Sequence, residues 1–506
     1  MLQLIDVTML HVKDFKPVIK ELTICINKGD KVAIIGDEGN GKSTLLKFLA
    51  NPALIEDYIK VEGKITDSFQ TRIYLPQLFE EDTTQTLSDY FFSDDDLDYG
   101  MLYRLADELG FDGNRFVTPQ TLGSLSGGEQ LKIQLIKKLS YDADLILLDE
   151  PSNNLDIRTL EWLEKYIQTS RKTIVFVSHD ERLLERTANK VIHLEQIKKR
   201  SLARTSVHQL DYDSYITERE HHFQKEMQLS KKEKLEHDKK VQKHERQRQK
   251  VESALRACHD STQGRLLAKK MRNLISHEKR YVKEKERLTS TPIQEEAITL
   301  KFKHPSKLGG NFHFYLENEK LLCLNHQTVL CDSLSLRINS RDKIGIVGDN
   351  GVGKTTLLIK LKEKLSKNKK LKIGFMPQDY EQVLKMEDSP LVFFMEKYPT
   401  VQKEELITLM SCLNFSFFEI NHSIAELSGG QKAKLVLLNL VLEEPDLLLL
   451  DEPTRNFSPL SQPKLRQLFK EFDGPIVAVS HDRQFLDEVC QDIFQLDKSG
   501  LKEWKF

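Results

Sequence analysis

Four stretches of this 506-residue chain occur twice, in the same order. "IIGDEGNGKSTLL", from Ile34, returns as "IVGDNGVGKTTLL", from Ile346, and "SLSGGEQLK" returns as "ELSGGQKAK". "LILLDEPSNNLD" returns as "LLLLDEPTRNFS", and "IVFVSHDERLL" returns as "IVAVSHDRQFL". An internal repeat constrains the fold strongly, because each copy must build the same kind of domain. The sequence therefore predicts a tandem duplication with a further segment inserted between the copies.

The first repeated stretch is a glycine-rich loop that follows an apolar run typical of a buried parallel strand. Glycines let the backbone turn tightly, so that amides at a helix N-terminus face the phosphates of a nucleotide. A single loop of this kind also occurs by chance at protein surfaces, but the preceding strand and the repeat argue against that interpretation. The predicted ATP-binding residues are Gly36, Gly39, Gly41, Lys42, Ser43 and Thr44, and Gly348, Gly351, Gly353, Lys354, Thr355 and Thr356.

Within each loop the lysine and the hydroxyl residue have separate expected roles. Lys42 and Lys354 would neutralise the β- and γ-phosphates, and the hydroxyls of Ser43 and Thr355 would bind Mg²⁺. ATP and Mg²⁺ are therefore the predicted cofactors.

Each copy also has an apolar run that ends in Asp-Glu, which predicts a fully buried strand with two carboxylates at its tip. Asp149 and Asp451 are placed to hold Mg²⁺ through water. Glu150 and Glu452 are placed to orient or deprotonate the attacking water. These two glutamates are the predicted catalytic bases of an ATPase.

Two further pairs of residues, a histidine pair and a glutamine pair, follow other apolar runs. His179 and His481 would contact the γ-phosphate; a lone histidine is more often structural, but its position after the Asp-Glu strand favours the catalytic role. Gln77, in "YLPQ", and Gln378, in "FMPQ", match a glutamine that binds Mg²⁺ and senses the water. The predicted metal ligands are Ser43, Gln77, Asp149, Thr355, Gln378 and Asp451.

The "LSGG" stretch precedes a helical pattern in both copies, so it presents a hydroxyl and free amides at a helix N-terminus. Such a group binds phosphate, and it would serve the other copy if a helical lobe separates it from its own loop. The predicted residues are Ser126, Gly127, Gly128, Ser428, Gly429 and Gly430. The full set of motifs resembles the ATP-binding cassette family.

In that family two cassettes close head to tail on two ATP molecules. The resemblance implies that the two cassettes pair within this one chain and form two composite sites. Lys42, Asp149, Glu150 and His179 would work with Ser428 and Gly429. Lys354, Asp451, Glu452 and His481 would work with Ser126 and Gly127.

The copies differ in the loop that follows the Asp-Glu pair. "SNNLD" ends in Asp156, as the family requires, whereas "TRNFS" has Ser458 at that position. Because this loop crosses the interface, Ser458 is expected beside the site built on Lys42, and the two sites are expected to be unequal. Phe15 and His326 are candidates for stacking on adenine or are ordinary loop residues.

Composition limits where the protein works. There is no uninterrupted apolar stretch of 18 residues and no recognisable signal peptide, so we expect a cytoplasmic protein without transmembrane segments. The six cysteines are scattered, with no CxxC pair, and no zinc site is expected.

The insert is basic although the chain has a formal net charge of only −2. Residues 221–288 contain 20 Lys and Arg against 10 Asp and Glu, which leaves about −12 for the rest. Few glycines, no proline and strong helix formers predict a long helix over residues 211–257. After a turn ending at Gly264, a second helix carries apolar residues at spacings of three, four and seven, which predicts an antiparallel hairpin. The apolar residues are Leu267, Met271, Leu274, Tyr281 and Leu288.

A basic helix is often only a solvated face, but this one lies between two nucleotide-binding domains. Its charge suits a polyanion that is recognised by its backbone. The whole architecture resembles the ABC-F subfamily, whose hairpin enters the ribosomal tRNA exit site. The resemblance implies the ribosome, through rRNA and tRNA, as the partner of the basic linker. "GRLLAKKMRNL" looks like the subfamily's helix after the hairpin tip.

The predicted fold class is α/β. Residues 1–205 and 293–506 form two P-loop cassettes, each with a mixed, mainly parallel sheet and a helical lobe, and residues 206–292 form the hairpin linker. Within ABC-F, two functions stay open: protection of ribosomes from antibiotics and a housekeeping role in translation. A transporter ATPase that docks on membrane subunits is an alternative of another class, and DNA repair is a third.

Overall fold

A computed structural model describes residues 1–93, 97–152, 155–196, 202–256, 261–287, 298, 300–302, 312–323 and 329–505. The chain divides into two compact units. One unit contains both cassettes, in Met1–Tyr212 and Glu295–Phe506, and the other is Asp213–Gln294. The division at residues 205/206 and 292/293 stays a prediction.

The first cassette is built on two sheets. Strands β1 (Leu2–His11), β2 (Pro17–Ile26) and β4 (Ile59–Asp67) form an antiparallel sheet in the order β2-β1-β4. The strands of the six-stranded sheet are β3 Lys31–Ile35, β5 Arg72–Leu75, β6 Leu145–Asp149, β7 Thr173–Val177, β8 Lys190–Gln196 and β9 Leu202–His208. Their order is β5-β6-β7-β3-β8-β9, with β9 antiparallel to β8 and the other neighbours parallel.

This sheet brings the predicted motifs to one edge. Strands β3, β6 and β7 are buried along their whole length, as their apolar sequences predict. Their register pairs Ile34 with Val177 and Asp149 with Val177, so the three strands end at the same level. The glycine-rich loop, the Asp-Glu pair and the Ser-His-Asp stretch leave the sheet there, at the carboxyl edge where parallel sheets bind ligands.

Helices cover this sheet and carry the other motifs. They are α1 Lys42–Ala50, α2 Leu87–Phe92, α3 Tyr99–Glu108, α4 Gly127–Leu139, α5 Ile157–Thr169 and α6 Glu181–Thr187. Leu45 and Leu46 of α1 share a buried core with Leu145 and Leu147 of β6. This packing fixes the start of α1 against the tip of β6.

The second unit contains two long helices, α7 (Tyr212–Arg256) and α8 (Ser261–Arg287). At 1.5 Å per residue, the 45 residues of α7 span about 68 Å. His244 Nε2 lies 2.9 Å from the Leu274 carbonyl oxygen, and His237 Nε2 lies 3.1 Å from that of Tyr281. Because the higher number of one helix meets the lower number of the other, the pair is antiparallel, which confirms the predicted hairpin.

The predicted apolar stripe of α8 faces its partner helix in part. Leu274 is buried, and Leu267, Met271 and Tyr281 are half-buried. Leu288, residue 257 of the predicted first helix and residues 258–260 of the predicted turn lie outside the described residues. The remaining part of the predicted turn, residues 261–264, is instead the start of α8.

The second cassette repeats the six-stranded sheet of the first, and among the described residues its antiparallel sheet has two strands in place of three. Strands β10 (His313–Leu322) and β11 (Val329–Asn339) form an antiparallel pair. The strands of its six-stranded sheet are β12 Lys343–Val347, β13 Ile373–Met376, β14 Leu447–Asp451, β15 Ile476–Val479, β16 Asp492–Asp497 and β17 Gly500–Glu503. Their order, β13-β14-β15-β12-β16-β17, is that of the first cassette.

As in the first cassette, helices of the second cassette begin at the glycine-rich loop, at the LSGG stretch and at the Ser-His-Asp stretch. The helices of this cassette are α9 Lys354–Leu365, α10 Pro390–Lys397, α11 Lys403–Cys412, α12 Phe417–Asn421, α13 Gly429–Glu443, α14 Gln462–Lys470 and α15 Arg483–Val489. In the part of the chain that the structure describes, no helix is long and apolar enough to cross a membrane.

Candidate active sites

The two glycine-rich loops have the geometry of a phosphate cradle. Helix α1 begins at Lys42 and α9 at Lys354, and the preceding Gly41 and Gly353 have φ angles of 88° and 102°. A side chain on Gly41 would be strained at that φ and would also place its Cβ 2.4 Å from Val18. The turn therefore requires glycine, and it exposes the amides that begin each helix.

The two lysines fold back over their own loops. Lys42 Nζ donates to the carbonyl oxygens of Gly36 at 2.9 Å and Asp37 at 3.0 Å. Lys354 Nζ donates to those of Gly348 at 2.6 Å and Asp349 at 3.0 Å. Both ammonium groups are held at the mouth of the cradle, where a phosphate anion would be neutralised. Thr44 and Thr356 lie in the first turns of α1 and α9.

A hydroxyl and a carboxylate meet at the tip of each Asp-Glu strand. Ser43 Oγ donates to Asp149 Oδ1 at 3.1 Å, and Thr355 Oγ1 donates to Asp451 Oδ2 at 2.7 Å. Burial raises the pKa of Asp149 to about 6, and burial also raises the pKa of Asp451. A hard cation that takes oxygen ligands would restore the charged form of such a buried carboxylate, so this donor pair fits Mg²⁺ held jointly with substrate phosphates. Tyr74, which the sequence analysis missed, donates to Asp149 Oδ2 at 3.2 Å.

The first cassette's glutamate lies within a group of polar side chains. Gln77 Nε2 donates to Glu150 Oε2 at 3.1 Å, and His179 Nε2 lies 2.9 Å from Glu150 Oε1. Glu150 has φ 49° and Glu452 has φ 50°, a left-handed conformation that costs energy for a residue with a side chain. The same backbone conformation therefore occurs at the glutamate of both copies.

The second cassette brings its glutamate and histidine together less tightly. His481 Nε2 lies 3.6 Å from Glu452 Oε1, and the His481 backbone amide donates to Glu452 Oε2 at 3.3 Å. Burial, with a contribution from the nearby Lys354 ammonium, lowers the pKa of His481 to about 3. Burial and the neighbouring Asp451 raise the pKa of Glu452. The imidazole is therefore neutral and can donate one hydrogen bond.

The LSGG stretches begin helices α4 and α13. Ser126 Oγ accepts from the Glu129 amide, and Ser428 Oγ accepts from the Gln431 amide, each in a reciprocal capping box. Gly127 and Gly429 are the first residues of the two helices, followed by Gly128 and Gly430. The signature serine thus caps its own helix and leaves the glycine amides facing outwards.

A cavity of about 650 Å³ joins the signature of the first cassette to the glycine-rich loop of the second. This volume lies in the range of small-molecule sites. Its lining includes Ser126, Gly127, Gly128, Gly351, Gly353, Lys354, Thr355, Thr356, Gln378, Asp451, Glu452 and His481. We call this composite site the Lys354 site; in it the structure brings together the residues that the family resemblance assigned to one ATP.

The other composite site, the Lys42 site, has the glycine-rich loop of the first cassette against the signature of the second. The amide of Gly430 donates to the carboxylate of Glu38. A Cβ on Gly429 would lie 3.1 Å from Glu38 Oε1, so the loop and the signature are in close contact. At the matching place in the Lys354 site, the side chain near Gly128 belongs to Asn350. Glu38 was not among the residues predicted from the sequence. The comparison of the two loops could have indicated it, because Glu38 is acidic whereas the equivalent residue, Asn350, has an amide side chain.

The loops that contain Asp156 and Ser458 lie at the cassette interface. Asp156 caps α5 and interacts electrostatically with Lys354 and His481 of the other cassette. Ser458 is buried with its Oγ 3.0 Å from that of Ser461, and Gln462 Nε2 donates to the His179 carbonyl oxygen at 2.9 Å. The segment after Ser458 therefore reaches the first cassette at His179, and Gln462 and His179 both also line the cavity of the Lys354 site.

Of the two candidates for stacking on adenine, the structure describes Phe15 alone. Phe15 is 65% exposed, and His326 lies outside the described residues. Among the residues that the structure describes, no cluster of three or more His, Cys, Asp and Glu could hold a metal alone. The Mg²⁺ ligands proposed here include only one carboxylate per site and rely on phosphate oxygens.

Residues 19–153 and 331–455 match the family described as ABC transporter. The chain belongs to this ATP-binding cassette family. It is 29% identical over 517 residues to the "Ribosome protection protein VmlR" of Bacillus subtilis, covering 97% of this chain and 86% of the relative. It is also 29% identical to a probable sub-family F member 3 homolog of Encephalitozoon cuniculi, covering 97% of this chain and 79% of the relative.

The fold of this cassette protein is also similar to solved structures. A complex of the archaeal ribosomal stalk protein aP1 and the ribosome recycling factor aABCE1 matches with a TM-score of 0.62 and 16% identity. The match covers 98% of this chain and 89% of that chain, and at this identity it shows the fold alone. This cassette protein shares two cassettes on one chain, and likeness along 97% of its length, with the sub-family F relative.

Proposed function

We propose that this ABC-F ATPase binds the ribosome in the cytoplasm through its helical hairpin. ATP closes the two cassettes, and the hairpin contacts rRNA and tRNA phosphates at the tRNA exit site. The observation that carries this proposal is the exposed basic surface of α7. Lys239, Lys240, Lys243 and Arg246 are all exposed to solvent.

The charge of the hairpin favours a nucleic acid over a protein partner. Basic side chains along a helix bind a phosphate backbone without reading its sequence. The ribosome is a polyanion, and the Bacillus subtilis relative, which is similar to this chain along 97% of its length, is named a ribosome protection protein. A transporter ATPase docks on membrane subunits and needs no long basic hairpin, so the hairpin favours ribosome binding over the transporter alternative.

In the proposed reaction each composite site holds one ATP. The loop amides and Lys42 or Lys354 bind the β- and γ-phosphates, and the opposite signature amides bind the γ-phosphate. Mg²⁺ held by Ser43 and Asp149, or by Thr355 and Asp451, would neutralise phosphate charge, and Gln77 and Gln378 complete its surroundings. Glu150 and Glu452 accept a proton from the attacking water, and His179 and His481 orient the γ-phosphate.

We further propose antibiotic protection as the biological outcome, with a housekeeping role in translation as the alternative. The name of the Bacillus subtilis relative favours protection, because the likeness runs along nearly the whole chain. The hairpin would then dislodge a drug from the ribosome.

The susceptibility of a host with and without the gene to several classes of ribosome-targeting antibiotic separates the two alternatives. Unchanged susceptibility with altered translation would favour the housekeeping role.

Fractionation of cell lysate tests the partner itself. We expect the protein to sediment with ribosomes in the presence of ATP and to be absent from washed membranes. Recovery with membranes and not with ribosomes would support the transporter alternative.

The two composite sites are expected to contribute unequally to turnover. Asp156 serves the Lys354 site, whereas Ser458, which cannot supply a charge, is expected beside the Lys42 site. We therefore expect Glu150→Gln alone and Glu452→Gln alone to lower the rate of ATP hydrolysis to different extents, by about threefold or more relative to each other. Steady-state phosphate release measures both variants. Equal losses would contradict the asymmetry.

Glu38 is expected to weaken ATP binding at the Lys42 site. Its carboxylate accepts a hydrogen bond from the Gly430 amide at the N-terminus of α13. The γ-phosphate would bind the same amide, so it must first displace the negative charge of Glu38. Glu38→Asn, which copies Asn350, should raise ATP affinity at this site about tenfold, equivalent to about 1.4 kcal/mol. Titration of fluorescent ATP into the protein measures the effect, and Asn350→Gln is the control. Unchanged affinity for Glu38→Asn would contradict this role.

A further inference from the structure

Four charged side chains are buried where the two cassettes meet. We call them the charged quartet: Glu164 and Glu181 of the first cassette, and Arg466 and Arg483 of the second. Their exposed fractions are 4%, 6%, 4% and 1%. Buried charges require partners, because isolated charges are costly to remove from water. The partners here lie in the opposite cassette.

The quartet forms two ion pairs across the interface. Arg466 Nη2 lies 2.8 Å from Glu181 Oε2, and Arg483 Nη2 lies 2.9 Å from Glu164 Oε2. Arg466 lies in α14 and pairs with Glu181, the first residue of α6. Glu164 lies in α5, the equivalent of α14, and pairs with Arg483, the first residue of α15. The two contacts are therefore the same contact made twice, in opposite directions.

The repeat alignment confirms this equivalence. Asp149 and Asp451 are 302 positions apart, as are His179 and His481. Glu164 and Arg466 are also 302 positions apart, and the same is true of Glu181 and Arg483. At two equivalent positions, the first cassette thus carries acids and the second carries bases.

This sorting of charge decides which cassettes fit together. If two first cassettes paired in the same geometry, Glu164 would face Glu181. If two second cassettes paired, Arg466 would face Arg483. Like charges placed against each other in an interface repel and suppress the wrong pairing.

Local helix stability does not account for the arrangement. Arg483 is the first residue of α15, where the helix dipole disfavours a cation. Its nearest acids are Glu164 at 2.9 Å and Asp180 at 3.7 Å, and both belong to the other cassette. Glu164 also pairs with Arg186 of its own cassette, and Arg466 pairs with Glu488 at 2.9 Å, so each cassette partly holds its own charges in place.

We propose that the charged quartet makes cassette pairing selective, so that a first cassette accepts only a second cassette. The surface around Arg466 and Arg483 is thus an interaction surface whose partner is the first-cassette surface around Glu164 and Glu181, in the same chain or in another copy. The inference goes beyond the proposed function, since it concerns which cassettes pair and not what the paired protein acts on.

Charge reversal in the full chain tests the proposal. Glu164→Arg with Glu181→Arg places arginines on both cassettes, and Arg466→Glu with Arg483→Glu places glutamates on both. Each double variant should lose ATP hydrolysis by about tenfold or more, because the composite sites cannot close. The quadruple variant restores opposite charges across the interface but leaves Arg186 and Glu488 beside like charges within their own cassettes, so it should recover activity in part, to about threefold or more above either double variant. The matched control is Glu161→Arg with Lys470→Glu, which reverses charge at exposed positions of the same helices.

Mixing the two double variants gives an independent measurement. The all-arginine chain and the all-glutamate chain cannot pair internally, but each cassette of one matches a cassette of the other. Equal amounts should form a one-to-one dimer by light scattering and regain ATP hydrolysis, whereas each chain alone stays inactive. If a double variant does not fold, as judged by circular dichroism and urea unfolding, the quadruple variant decides. A quadruple variant as inactive as the doubles, or double variants as active as the parent, would overturn the proposal.

Discussion

Replacing both Glu150 and Glu452 by glutamine is expected to lower the rate of ATP hydrolysis by about 100-fold or more while ATP still binds. The amide cannot accept a proton from the attacking water, so the chemical step slows. The phosphate and Mg²⁺ ligands are left in place. The hydrogen bonds from Ser43 Oγ to Asp149 and from Thr355 Oγ1 to Asp451 do not involve the two glutamates. Phosphate release and ATP retention on the purified protein are the two measurements.

The control for this variant is Asp144→Asn with Asp446→Asn, which removes a carboxylate just before each of the two strands and leaves their carboxyl tips unchanged. The control should hydrolyse ATP at nearly the parental rate. If the double glutamine variant also does so, the two glutamates are not the bases. If it fails to bind ATP, they act in binding and not in proton transfer.

Changing Lys239, Lys240, Lys243 and Arg246 to glutamine is expected to weaken ribosome binding and flatten its dependence on salt. Each phosphate contact that is lost should lower the slope of log affinity against log salt by about 1, so the slope should fall by up to about 4. Glutamine is a good helix former, and all four positions are exposed, so α7 itself should persist. Ribosome pelleting at several salt concentrations, with circular dichroism of the variant, measures both effects.

A matched set of cations lies on the second cassette. Lys367, Lys369, Lys370 and Lys372 are also exposed, and their change to glutamine removes the same charge from the chain. We expect this control to keep the parental salt slope. Equal effects of the two sets would mean that net charge, and not the hairpin, governs binding.

The sequence predicted those parts of the molecule that local pattern determines. Apolar runs such as "LILLD" and "LLLLD" became buried strands, and the glycine-rich loops begin helices at Lys42 and Lys354 as their composition requires. The lack of glycine and proline in the insert predicted helix α7 almost to the residue. Turn and helix chemistry act over a few residues, so a single sequence is enough to infer them.

What the sequence analysis missed depends on contacts between distant segments. The Glu38 carboxylate meets the Gly430 amide from the other end of the chain; the difference between Glu38 and Asn350 marks the position, but only the folded interface shows the partner. Arg466 and Glu181 appear as ordinary helix charges until folding buries them against each other. The exchange of charge between Glu164 and Arg466 was visible in the aligned repeats, but only the interface gives it a meaning.

The most direct test of a ribosome-bound ATPase driven by two shared sites is binding of the Glu150→Gln, Glu452→Gln variant to purified ribosomes with ATP or ADP. We expect ATP to retain the variant on ribosomes at least about tenfold better than ADP, because only ATP bridges each loop to the opposite signature. Equal retention with both nucleotides, or no retention with either, would contradict it.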